Sequence, residues 1–126
     1  MPDASTLQFL LTLAKGIASQ FGPNCEVVVH DLATNDPERS IVAIENGHVT
    51  GRKVGDGPSH VVLEALQGTP DQLHDHLSYL TRTKDGKILK STTIYIRDND
   101  GVPVGIFGIN YDITLMLAME NTLKQF

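Results

Sequence analysis

Leu7, Leu10, Leu11, Ala14, Ile17, Ala18 and Phe21 recur at the i, i+3, i+4, i+7 spacing of one helical face, so the chain opens with an amphipathic helix over residues 5–21. Ser5 with Gln8 three positions on has the form of a capping box, and Gly22-Pro23 stops the helix because neither residue continues it. From Cys25 the pattern changes. CEVVVHDL (25–32) and SIVAIEN (40–46) are β-branched runs separated by the turn-rich ATNDPER, which predicts two antiparallel strands. The glycine-rich GHVTGRKVGDGP that follows is irregular, SHVVLEALQG from Ser59 has the pattern of a short helix closed by Gly68, and TPDQLHD is a polar link.

Three further runs fill the last third: HLSYLTRT (76–83), ILKSTTIYIRD (88–98) and VPVGIFGINYDI (102–113). Lys84-Asp85-Gly86-Lys87 and Asn99-Asp100-Gly101 separate them and supply the positive-φ residue of tight hairpins, so these runs form a meander. Met116, Met119, Leu123 and Phe126 then follow a 3, 4, 3 spacing, helical and similar to the start of a coiled-coil seam. The expected class is α+β: one antiparallel sheet of five strands with flanking helices. A cavity between the sheet and the glycine-rich crossover is the natural ligand site.

Composition narrows the function. At 126 residues, 40% hydrophobic and 20% charged, the chain is expected to be one globular domain. Its net charge of −5 and scattered Lys and Arg residues leave no electrostatic footprint for nucleic acid. Cys25 stands alone, which excludes an internal disulfide and favours a reducing, cytoplasmic setting. The first residues lack the form of a signal peptide, and no apolar run approaches the roughly 18 residues of a membrane span.

The segments FGPNCEVVVHDL (21–32), SIVAIENGHVTGRKVGD (40–56) and GIFGINYDIT (105–114) resemble the YheO-like PAS domain, the sensor module of a family of bacterial DNA-binding regulators. Asp112-Ile113-Thr114 also resembles the sequence with which many PAS domains leave their last strand for a signalling helix. The resemblance covers nearly the whole chain. It implies a PAS core over 25–112 after the helix at 5–21, with the signalling helix starting at 113–126. It also implies a helix-turn-helix domain, outside this sequence, through which alone DNA would be bound. The seam broken off at Phe126 favours a piece of a longer regulator over a stand-alone sensor.

Strand alternation weakens the enzymatic reading of the first strand. Cys25 and His30 point to opposite faces, as do His30 and Asp31, while Glu26 and His30 share a face at roughly 13 Å, beyond hydrogen-bond reach. His30 is read either as an imidazole hydrogen-bonded within the sheet or as a ligand contact. Cys25 reads as a small buried hydrophobe, without the surroundings of a flavin-binding cysteine. His74 and His76 flank Asp75, but no third ligand is near, so no metal and no cofactor is expected. Gly55-x-Gly57 and Gly105-x-x-Gly108 lack phosphate-loop spacing and are read as turns or close packing.

On the last strand Phe107, Ile109 and Tyr111 share one face, with Gly108, Asn110 and Asp112 on the other. A buried Asn110 needs a partner in the backbone or in a ligand, and Asp112 has a structural alternative as helix cap. Glu45, Asn46, His48 and Arg52 cluster where the second strand enters the crossover; they either converge on a ligand or serve turn chemistry around Asn46-Gly47. Glu26, His30, Glu45, Asn46, His48, Arg52, Asn110 and Asp112 are thus the candidate ligand contacts. Arg52 suits a carboxylate, and Glu26, Glu45 or Asp112 a cation, so a small polar metabolite such as an amino acid is the expected ligand. The terminal helices either pair two copies as a homodimer or cover the domain's own sheet. The rivals are a small enzyme using the same pocket and a ligand-free dimerisation module.

Overall fold

The computed structural model describes residues 3–33, 39–56, 68 and 73–126. The helix expected from Ser59 lies outside them except for Gly68. Helix α1 (Ala4–Phe21) begins two residues earlier than the Ser5–Gln8 capping pattern predicts. Asp3 is the cap: its carboxylate accepts from the Thr6 amide at 2.8 Å and from the Ser5 hydroxyl at 3.1 Å. A carboxylate serves the free amides of a first turn better than a hydroxyl, because it also meets the positive end of the helix dipole. Those donors, the Thr6 amide foremost, hold the Asp3 carboxyl below its ordinary value. Gly22 closes the helix at φ 86° and donates to the Ala18 carbonyl at 2.9 Å.

Five strands follow: β1 (Cys25–Asp31), β2 (Ile41–Glu45), β3 (His76–Arg82), β4 (Ile88–Arg97) and β5 (Pro103–Asp112). They form one sheet in the order β2-β1-β5-β4-β3, and every pairing is antiparallel. The two tight turns sit where the sequence places them, with Gly86 at φ 89° and Gly101 at φ 80°. Helix α2 (Thr114–Lys124) leaves the end of β5.

Because β1 is the inner neighbour of both β2 and β5, all seven of its residues are buried, and its alternation divides them between two layers. Cys25, Val27 and Val29 face α1, where with Ala14, Ala18 and Phe107 they make the main core. Leu7, Leu10, Ile17, Ile94, Ile96 and Ile109 pack around it. The small side chains of Ala14 and Ala18 let the helix axis approach the strands closely. The stripe on α1 therefore covers its own sheet, one of the two roles open from the sequence. No residue of α2 is buried; Met116, Met119, Leu123 and Phe126 are all exposed.

Candidate functional site

The face of the sheet opposite α1 is polar at its centre. Glu26 and Asn110 are directly paired across β1 and β5, and the Asn110 amide donates to one Glu26 oxygen at 2.9 Å. The other oxygen accepts from the Thr50 amide at 3.1 Å and the Thr50 hydroxyl at 2.6 Å. From Asn110 the chain continues: its carbonyl accepts from Ser91 on β4 at 2.8 Å, and Ser91 lies 2.9 Å from the Thr81 hydroxyl on β3. Glu26 has no exposed surface, and every buried side-chain nitrogen or oxygen among the described residues has a partner. The sequence offered Asn110 a backbone or ligand partner; its partners are two side chains from neighbouring strands. Ser91, Thr81 and Thr50 were missed, although Ser91 and Thr93 stand out as polar residues on the buried parity of β4 between Leu89 and Tyr95.

The segment after β2 is locked by local chemistry. Asn46 takes the left-handed conformation at φ 55°, and its amide donates to the Cys25 carbonyl at 2.8 Å and the Gly22 carbonyl at 3.1 Å. A 3-10 turn, Gly47–Val49, follows in place of a hairpin. The chain then folds back so closely that a Cβ on Gly47 would lie 2.2 Å from the Arg52 carbonyl oxygen. The Gly47 carbonyl accepts from the Gly51 and Arg52 amides at 2.8 and 3.0 Å, Val49 is buried, and Lys87 donates to the Val49 carbonyl at 3.1 Å. Thr50 is thereby held on Glu26, with Arg52 two residues further on.

A cleft of about 670 Å³ opens on this face. Val28, Leu89, Ile106 and Gly108 form an apolar floor, Tyr79, Thr81 and Thr93 one wall, and Thr50, Arg52 and His30 the other; Arg82 and Lys84 of the β3–β4 hairpin stand at its rim. Gly108 lies opposite Val28, and a Cβ there would approach the Val28 side chain at 3.0 Å. His30 Nδ1 sits 2.9 Å from the buried Ser40 hydroxyl. Burial, reinforced by the charge of Arg52, pulls the imidazole down to about 4. His30 is therefore neutral at neutral pH.

The structure brings His30, Arg52 and Asn110 to the cleft, with Glu26 sealed beside it. It separates the other candidates. Glu45 pairs with Val27 and lies on the α1 side, in a groove with Gln8, Thr12 and Lys15. Asn46 is spent on two carbonyls, and the His48 side chain is exposed. Asp112 accepts from the Thr114 amide at 3.0 Å and hydroxyl at 2.6 Å, one residue before the cap position of α2, which is Ile113 and makes no side-chain cap bond. On the helix side, burial pushes the Cys25 thiol up. His74 and His76 are exposed, Asp75 accepts from the Tyr95 amide, and no group of three metal-ligating side chains occurs among the described residues. No helix among those residues is long and apolar enough to cross a membrane.

A five-stranded antiparallel sheet in this order, with α1 on one face and a polar cleft on the other, defines a PAS-type domain. A solved light-oxygen-voltage domain has the same fold, at a TM-score of 0.52 and 19% identity over 90% of this chain and 93% of its own. The model of the YheO-like PAS domain matches residues 1–126, and the chain belongs to that family. Among curated relatives, YheO of Escherichia coli K12 is 33% identical over 88% of this chain and 46% of its own length. The transcriptional regulator DauR of Pseudomonas aeruginosa is 30% identical over 96% of this chain and 54% of its own. The chain spans about half the length of these relatives, and as a PAS domain it is related to a transcription regulator.

Proposed function

We propose that this domain is the sensory part of a bacterial transcription regulator, taking a small polar metabolite into the cleft and passing its occupancy to α2 without catalysing a reaction. The observation that carries this reading is the physical join between the two. β4 and β5 supply Leu89, Thr93, Ile106 and Asn110 to the cleft, and the same strands hold the root of α2. The Ile88 amide donates to the Thr114 hydroxyl at 2.9 Å, and the Ile113 amide to the Ile88 carbonyl at 3.0 Å. A ligand that prefers one packing of β4 on β5 would shift the population of α2 positions, by no more than its differential affinity for the two states.

The exposed apolar residues of α2, Leu115, Met116, Met119 and Leu123, suit pairing with a second copy, through which a following DNA-binding domain would be set. The buried free Cys25 fits a reducing, cytoplasmic setting. Against catalysis stands the burial of the His30–Ser40 contact: Ser40 is fully buried, so its hydroxyl has no path to a substrate.

Native mass spectrometry of the chain purified from cells, followed by thermal-shift and turnover assays with any retained compound, tests the reading. The expected result is a retained small molecule that raises the melting temperature and is recovered unchanged. Recovery of a converted product, with conversion lost in His30→Gln, would replace the sensor with an enzyme.

A further inference from the structure

The polar side chains around the cleft are nearly all paired with one another. Thr50 is spent on Glu26, Thr81 on Ser91, and the Tyr79 hydroxyl on Thr93 at 2.6 Å. Thr92 accepts from the Ser78 amide, and Thr83 from the Lys87 amide. The Asn110 amide is used at both ends. The charged groups that remain are cationic. Among the described residues Arg52, Arg82 and Lys84 have no side-chain hydrogen bond or ion pair, and no carboxylate lines the cleft with them. This concentration of positive charge occurs in a chain of net charge −5. Glu26 offers no acceptor to a ligand, since three donors occupy its two oxygens and none of it is exposed.

We propose that the cleft recognises a small organic carboxylate, its head on the Arg52 guanidinium and its carbon body on Val28, Leu89 and Ile106. This rests on the sensor reading and names its ligand class. Arg52 is half-buried, and its planar fork of donors matches the two oxygens of a carboxylate. Its backbone is fixed by the bond to Gly47, so only side-chain rotamer freedom is lost on binding. Arg82 and Lys84, exposed at the rim, attract an anion at longer range. The apolar floor selects an organic acid over a bare inorganic anion, because a fully hydrated ion gains nothing from Val28 and Ile106. A cationic or zwitterionic metabolite loses the partner that Glu26 would have given its amino group.

The test uses four probes, three of them sharing one carbon skeleton: isovalerate, isovaleramide, isoamylamine and inorganic phosphate, each titrated into the isotopically labelled chain while the backbone amides of Thr50, Arg52, Gly108 and Asn110 are followed by NMR. Isovalerate is expected to give saturable shifts at these amides with an affinity at least about tenfold above each of the other three. Arg52→Gln should abolish the preference for the acid over the amide, Arg52→Lys should retain part of it, and Arg82→Gln should weaken binding about twofold without removing it. Equal or tighter binding of the amide or the amine overturns the carboxylate assignment and leaves the sensor cleft standing. Tighter phosphate binding overturns it in favour of an inorganic anion. If no probe moves the cleft amides, the assignment also fails, and the sensor reading is then decided by the retained molecule alone. Since the Arg52 side chain makes no bond within the described fold, its variants are expected to keep the parent's spectrum outside the cleft.

Discussion

Against α1 the sheet presents Cys25, Val27, Val29 and Phe107, which meet Ala14 and Ala18 through apolar side chains and one thiol, whereas the alternate residues of the same β1 strand carry Glu26, Val28 and His30 into a layer of hydroxyls, amides and one guanidinium. Both sets are buried to the same degree, yet they stabilise the fold differently. The helix side depends on volume and shape, where a truncated side chain costs its own transfer energy and the cavity it leaves. The cleft side depends on mutual satisfaction, where removing one group strands the donors of several others. On the proposed sensor reading the cleft side is the place for a ligand, and the helix side is expected to be the larger source of stability per residue.

The largest effect is expected on the helix side. Phe107→Ala, at a residue 4% exposed, should lower unfolding free energy by about 4 kcal/mol in urea denaturation, through lost transfer energy and the cavity left under α1. A loss below about 1 kcal/mol would mean that this layer repacks freely and that the contrast between the faces is false. On the cleft side Glu26→Ala should cost about 3 kcal/mol, because the Thr50 amide, the Thr50 hydroxyl and the Asn110 amide all lose their acceptor. The sharper measurement is the double-mutant cycle with Asn110→Ala. It should be non-additive by about 1 kcal/mol or more, while Phe107→Ala with Glu26→Ala should add simply.

The smallest effect is set by pH. His30 is depressed from 6.5 to about 4, so the unfolded chain binds its proton more readily than the folded one throughout that window. Stability is complete above about pH 6.5 and is lost as the pH falls toward 4; a fall from about pH 7.5 to about pH 5 should remove roughly 2 kcal/mol. His30→Gln should flatten that slope, and an unchanged slope would place the titrating group elsewhere.

How far each face could be read from the chain follows from the same contrast. The helix side was legible. Its residues declare themselves by period, 3.6 along α1 and 2 along β1 and β5, and these patterns place Phe107, Ile109 and Tyr111 together without knowledge of their neighbours. The cleft side was legible only in part. Glu26, His30, Arg52 and Asn110 stand out as polar residues in or beside apolar runs, but what each bonds to was hidden: Glu26 and Asn110 are 84 positions apart. Glu45 shows the converse error, since nearness in sequence to Asn46 and Arg52 put it in one cluster with them, while its register opposite Val27 turns it to the α1 side.

By itself the sequence determined what is periodic or local: the opening helix, the strand faces, the two glycine turns and the apolar stripe of α2, because helix and strand periods and positive-φ turns are fixed by neighbouring residues. It did not determine that the Asp3 carboxylate would displace Ser5 as the cap, since two adjacent candidates compete for the same amides. The tertiary structure alone decided which polar groups meet. Placing β1 between β2 and β5 brings Thr50, Glu26, Asn110, Ser91 and Thr81 into one line across the sheet and leaves Arg52 unspent beside it. Strand order sets those meetings, and strand order is a property of the whole folded chain.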